Sequence, residues 1–167
     1  LTGLSLAKNL VNKKINVHIY HKNKIENFSS SRTIGISKNS LKFFRKEIYK
    51  IPKNMLWEIK KIEIFSEKSE KENLLSFENN NDDLFYLIKN DKLYTLLINE
   101  ISKNKNFQKK LIKNSSFYEK LLKANKYDLI INCDSNNTLS NKFFAKKINK
   151  NYYNVAYTTI LKHKKIN

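Results

Sequence analysis

The sequence has 167 residues, 40% of them hydrophobic and 12% aromatic, enough for the core of one ordinary domain or of part of a larger one and unlike a disordered chain. No run of uncharged apolar residues is long enough for a membrane-spanning helix, and no basic, apolar leader opens the chain, so neither a span nor a secretory signal is expected. The single cysteine excludes a disulfide scaffold and any CxxC metal site, and the formal charge of +18 is the largest departure from an average chain.

In chain order, residues 4–13 read as a helix, with Leu4, Ala7 and Val11 on one stripe and Leu6 and Leu10 beside it. Ile15, Val17 and Ile19 then alternate with polar neighbours and predict a strand after a short link. Residues 21–33 are polar, with a serine run at 29–31, and read as a loop. Residues 34–37 are a short extended piece, and Leu41, Phe44 and Ile48 predict a helix over 39–49 that Pro52 closes off. A strand is expected over 59–66, a charged turn over 68–71, and two more strands over 74–77 and 84–88, parted by an Asn/Asp loop. Leu93, Leu96, Leu97 and Ile101 predict a helix over 91–103. Residues 107–116 are ambiguous, with a short strand near Leu111 and Ile112. The compact run Tyr127-Asp128-Leu129-Ile130-Ile131-Asn132-Cys133 reads as a buried strand. A short helix or turn follows over 139–148, and residues 152–161, rich in Tyr, Val, Thr and Ile, read as a strand. The order of elements is that of an α/β fold with an inserted sheet.

The charge is carried by 31 lysines and only two arginines, Arg32 and Arg45. Phosphate and base readers favour arginine, whose planar fork bonds two oxygens at once. With 25 asparagines, two glycines and one proline, the composition matches drift toward AT-rich codons, and the lysines read as a solvated surface rather than a nucleic-acid footprint. Asparagine is the residue left to fill turns that ordinarily take glycine, so clusters such as Asn79, Asn80 and Asn81 mark loops. Gly3 and Gly35 stand out as retained.

A glycine that opens a helix leading into a strand has the form of the last glycine of a G-x-G-x-x-G dinucleotide-binding unit, where it lets helix and strand pack closely. Three further segments add to Leu1-Thr2-Gly3-Leu4-Ser5-Leu6-Ala7. They are Arg32-Thr33-Ile34-Gly35-Ile36-Ser37-Lys38-Asn39-Ser40-Leu41, then Ile88-Lys89-Asn90-Asp91-Lys92-Leu93, then Tyr127 to Asp134. Together, and in this order, they resemble the ubiquinone-biosynthesis hydroxylases, a branch of the class A FAD-dependent monooxygenases. The arginine-serine segment is the most specific, and residues 152–163 resemble the strand entering that family's substrate domain.

The resemblance implies an α/β chain with a partial Rossmann-like FAD-binding domain of mostly parallel strands and inserted strands of a mixed-sheet substrate domain. Residues 1–51 would be the first part of the FAD domain and 52–88 an excursion toward the substrate domain. Residues 89–148 would be the return and 149–167 the start of the substrate domain. FAD would be the cofactor and NAD(P)H the co-substrate, with O₂ used to hydroxylate an aromatic, prenylated ring. The expected location is cytoplasmic, peripheral at the inner face of the membrane, where lysines dwell on anionic lipid. The family's first two glycines and its downstream Gly-Asp motif have no counterpart here, so the chain is expected to be a piece of a longer enzyme and poorly soluble alone.

Gly3, Arg32, Ser37 and Asp134 are the implied cofactor-binding residues, and no catalytic residue is assigned. Each has a plain structural alternative. Arg32 could make a surface ion pair, Ser37, which with Ser40 could bond cofactor or backbone, could equally start a helix, and Asp134 could cap a helix or form an Asx turn. Asn90 is expected to cap the helix that follows it. Cys133 is read as a small buried hydrophobe, and His18, His21 and His163 lack metal-ligand spacing. Tyr152, Tyr153 and Tyr157 are read as strand residues rather than base-stacking ones. The departures from the family are His21 where a ribose-binding acid is usual, Ser135 in place of glycine, Thr138 in place of serine and Asn141 in place of arginine. They leave a second reading, an inactive truncated relative, and more remotely a third, a basic nucleic-acid-binding module.

Overall fold

The computed structural model describes residues 1–21, 32–66, 73–78, 83–112, 116–134, 138–143, 150–155 and 157. Helix α1 (Thr2–Asn12) buries Leu4, Ala7 and Val11, one residue per turn along a single stripe. It ends in a Schellman arrangement: Ile15 N–H donates to Leu10 O at 3.1 Å and Lys14 N–H to Val11 O at 3.0 Å. Lys14, at φ 63°, occupies the left-handed position that glycine usually takes. The turn delivers the chain into β1 (Val17–His21), which packs against α1.

β1 pairs in parallel with the distant β7 (Phe107–Leu111), Val17 opposite Phe107 and His21 opposite Leu111. Between them in sequence lies a three-stranded antiparallel sheet in the order β2 (Thr33–Ser37), β6 (Phe85–Lys89), β3 (Trp57–Ile59). Ile88 on the central strand is fully buried. Helix α2 (Lys38–Glu47) follows β2 directly. Its last carbonyls lack a glycine cap and are satisfied from α1: Asn12 Nδ2 donates to Ile48 O at 2.9 Å and to Glu47 O at 3.1 Å, and Asn9 Nδ2 also reaches Glu47 O. Helix α3 (Asn90–Ser102) follows β6 and lays Leu93, Leu97 and Ile101 against α1. These stripes, with Ile36, Leu41 and Ile51, form one core.

The remaining elements hang on this core. A 3-10 turn (Lys53–Met55) follows Pro52. β4 (Lys61–Phe65) and β5 (Asn73–Glu78) form an antiparallel ribbon. Lys60 breaks the single strand expected over 59–66 into β3 and β4. α4 (Ser116–Lys123), which no sequence signal marked, precedes the run from Tyr127, and α5 (Thr138–Phe143) follows it. Among the described residues no helix is long and apolar enough to cross a membrane.

The chain is thus α/β, with one parallel pair and three antiparallel ladders among the described residues. Two strand expectations are corrected. The run from Tyr127 to Cys133 bends at Asp128 and joins no ladder among the described residues, and Leu129, Ile130 and Ile131 are exposed rather than buried. The described part of 152–161 is not a strand either: Tyr152, Tyr153, Val155 and Tyr157 are exposed, and Tyr153 at φ 56° leaves the β region. The remainder of that segment lies outside the described residues. So do the serine run at 29–31, the turn at 68–71, the cluster at 79–81, His163, and Phe144 and Ile148 of the expected last helix. Among the described residues asparagine holds one left-handed position, Asn125, while Lys14 and Tyr153 hold the others, and neither Gly3 nor Gly35 has positive φ.

Candidate functional site

Gly3 sits in the first turn of α1. No side chain caps that turn and no acidic residue lies in it, so its free N–H groups and the helix dipole are open to an anion. A Cβ at Gly3 would lie 3.4 Å from Cys133 Cβ and 3.6 Å from its Sγ, ordinary contact distances. The start of α1 therefore meets the end of the run from Tyr127. Gly3 is needed neither for positive φ nor to avoid a clash, so a requirement for glycine there would come from something approaching the helix start.

Cys133 is exposed, contrary to its reading as a buried hydrophobe, because the run that carries it lacks strand neighbours. The turn after it is pinned by Ser140, which is buried on α5. Ser140 Oγ donates to Asp134 O at 2.8 Å and accepts from Asn132 Nδ2 at 2.8 Å, and Asp134 N–H donates to Asn132 Oδ1 at 3.1 Å. This is the Asx-type turn expected as Asp134's alternative role, although the turn is built by Asn132 rather than by Asp134. Asp134 is exposed at the corner beside Gly3's partner. Its charge adds to burial, the larger effect, in raising the Tyr118 hydroxyl above its ordinary pKa.

Arg32 precedes β2. Its carbonyl accepts from Asn90 N–H at 2.9 Å, which ties it to the start of α3. Its side chain is exposed and forms no ion pair among the described residues. Ser37 is the N-cap of α2: its Oγ accepts from Ser40 N–H at 3.1 Å and donates to Ser40 Oγ at 2.9 Å. Of the four implied residues, Gly3 and Asp134 thus fall at one corner. No hydrogen bond or ion pair among the described residues joins Arg32 or Ser37 to them. Asn90 does not cap α3. The cap position is Lys89, and Asn90 Oδ1 and Asp91 Oδ1 are buried oxygens without a protein partner.

A second cluster went unmarked in the sequence. His18 and Tyr20 lie on one face of β1, two residues apart. Tyr127 bridges them: its hydroxyl lies 2.7 Å from His18 Nδ1 and 2.5 Å from Tyr20 Oη. Lys110 Nζ, which can only donate, stands 3.5 Å from the same His18 nitrogen, a contact that calls for Nδ1 as its acceptor. Burial, then Lys110 and Lys126, hold the His18 pKa below the ordinary histidine value. Burial first, and the Tyr20 hydrogen bond second, raise that of Tyr127. The period-2 spacing of His18 and Tyr20 was visible, but their partner lies more than a hundred residues away.

Among the described residues no group of His, Cys, Asp and Glu could hold a metal ion. No family model matches the chain, and no curated protein matches it.

Proposed function

We propose that these residues are flavin-domain sequence of an FAD-dependent monooxygenase that hydroxylates an aromatic, prenylated ring with NAD(P)H and O₂, in the manner of the ubiquinone-biosynthesis hydroxylases they resemble. The Rossmann-like reading belongs to the same proposal. The observation that carries it is the corner where Gly3 at the start of α1 meets Cys133 and Asp134. Ligands of open α/β sheets bind beyond the carboxyl ends of the strands, beside helix N-termini. The uncapped first turn suits a pyrophosphate: no side chain caps its N–H groups and no acidic residue lies within the turn itself. Gly3 leaves the approach open, the exposed Arg32 guanidinium is available for a second phosphate or ring contact, and Asp134 offers a carboxylate to hydroxyl groups. Ser37 is assigned to capping α2 rather than to the cofactor. When bound, the flavin supplies the redox and oxygen chemistry, and this chain's residues hold and orient it. His21, at the end of β1, accepts at most one ribose hydrogen bond where a carboxylate accepts two, so weaker nucleotide retention is expected. Contact with the inner membrane face through lysine-rich surface is part of the same reading.

The test is to isolate from its source the native polypeptide that contains these residues, measure its length, and release and identify any bound nucleotide. A polypeptide about twice this length that carries FAD, and that loses it on Arg32→Ala with the fold intact, supports the reading. A colourless native polypeptide without nucleotide overturns it and leaves an inactive relative.

A further inference from the structure

Val17 and Ile19 of β1 pack on the core that holds α1, so His18 and Tyr20 stand on the opposite face of the strand. The parallel register sets Gln108 and Lys110 of β7 beside them. That face is covered by the segment from α4 onward. Phe117 lies against Tyr20 with ring centroids 5.3 Å apart, and Tyr127 meets His18 edge-on at 5.4 Å. The Tyr127 hydroxyl closes the contact, 2.7 Å from His18 Nδ1 and 2.5 Å from Tyr20 Oη. The other end of the same run reaches the start of α1, where Cys133 lies beside Gly3.

The groups around His18 suit an uncharged ring. From β7, Lys110 Nζ stands 3.5 Å from Nδ1 and can only donate, and a protonated Nδ1 has no lone pair to receive it. From the covering segment, Lys126 brings a second positive charge and Tyr127 its hydroxyl. From β1 itself, Tyr20 adds a hydroxyl bonded to Tyr127. Phe117 of α4 carries no charge, and α1 lies across the strand. Burial, then Lys110 and Lys126, hold the His18 pKa down, and among the described residues no carboxylate acts against them. A proton on His18 is therefore opposed while Tyr127 covers the ring, and is taken up at the ordinary value near 6.5 once the ring stands in water. Lys126 directly precedes Tyr127, so its repulsion from a charged His18 acts on the cover itself.

We propose that His18, Tyr20 and Tyr127 form a proton-operated latch: a neutral His18 holds the run 127–133 on β1, and protonation of His18 releases the run and uncovers the side of the first turn of α1 that Cys133 occupies. Lys110 and Lys126 set how strongly the latch responds. By linkage, the ratio of open to closed chains rises as much as tenfold for each pH unit below about 6.5, and levels off below the value of the closed state. The latch stands on the contacts of His18 and not on the flavin reading, and each can fail alone.

The test is nuclear magnetic resonance on the full chain between about pH 7.5 and pH 5, a range that spans the ordinary histidine value. Overhauser contacts between the His18 and Tyr127 rings, and between the Tyr20 and Phe117 rings, report the latch. The Gly3 amide reports the far end of the run, and the methyl groups of Leu97 and Ile101 report the core. Below about pH 6.5 both ring contacts should fade and the Gly3 amide should shift in step with the His18 ring, while the core methyls hold their positions. Relaxation dispersion at Tyr127 reads the open form where it is the minority. Lys110→Gln, which removes a charge that opposes the proton, should raise the His18 midpoint and lessen the opening on acidification, and Lys110→Arg should restore both. His18→Gln should make the Tyr20–Phe117 contact independent of pH. Ring contacts and a Gly3 amide that persist unchanged through the titration of His18 would overturn the proposal. So would loss of the core methyl signals at the same midpoint, which is global unfolding, or an acid response that survives in His18→Gln.

Discussion

Lys14 ends α1 in the left-handed region, at φ 63°, where a Cβ crowds the following carbonyl. Lys14→Gly removes that strain while adding freedom to the unfolded chain, and should stabilise by about 0.5–1 kcal/mol in urea unfolding. Gly3 is the converse case. Its added Cβ meets Cys133 at ordinary distances, and alanine is the better helix former, so Gly3→Ala should leave stability equal or raise it by up to about 1 kcal/mol. If the helix start receives a phosphate, the same variant should weaken nucleotide retention by the native polypeptide, and that split between stability and binding separates packing from function. His18 adds a pH dependence whose direction is fixed. Its folded pKa is lowered, by burial first and then by Lys110 and Lys126, so the unfolded chain takes up the proton first as pH falls. Its contribution is fully present above the ordinary value near 6.5, declines through it, and is lost below the folded value. Urea unfolding between about pH 7.5 and pH 5 should show stability falling toward acid, and His18→Gln should flatten that slope.

The helices divide into those held by the core and those at its margin. Leu97 and Ile101 on α3 are fully buried against α1. Leu97→Ala should cost about 2–5 kcal/mol, the range for a buried leucine that leaves a cavity. Phe77 on β5 is 50% exposed on the β4–β5 ribbon, and Phe77→Ser should change stability by less than about 0.5 kcal/mol. Similar losses from both would mean that the ribbon face is covered. The same division decides what could be read in the sequence. α1, β1, α2 and α3 were legible because their apolar period is answered by neighbours nearby in the fold. The run from Tyr127 was read correctly as apolar and wrongly as buried, because periodicity reports what a segment can bury and not whether a partner strand is there. α4 was missed. Asn9 and Asn12, which looked like compositional drift, supply the amides that close α2. Of the candidate site, the Gly3–Asp134 corner was implied by segment order. Ser140, Tyr127 and Lys110 were not, since each acts through a contact that no local spacing encodes.

For the molecule as a whole, the charge of +18 acts in the direction opposite to that expected of a chain held together by ion pairs. The ion pairs between described residues, Lys46–Glu47, Lys61–Glu63, Lys103–Glu100 and Lys142–Glu119, all involve a lysine at the surface, and such pairs contribute about 0–1 kcal/mol each. Most lysines have no acidic partner to match, and their mutual repulsion is relieved when the chain expands. Raising ionic strength from about 0.01 M to 0.15 M shortens the screening length from about 30 Å to 8 Å, less than the width of a domain. Net repulsion is then weakened more than the few close pairs. Thermal unfolding should therefore shift upward with sodium chloride across this range, and a downward shift would show that ion pairs dominate after all. Repeating the series with sodium phosphate at matched ionic strength separates a general from a local effect. Equal shifts mean screening alone. A further rise in phosphate, abolished by blocking the start of α1 with Thr2→Glu, would place an anion at the same uncapped turn on which the flavin reading depends.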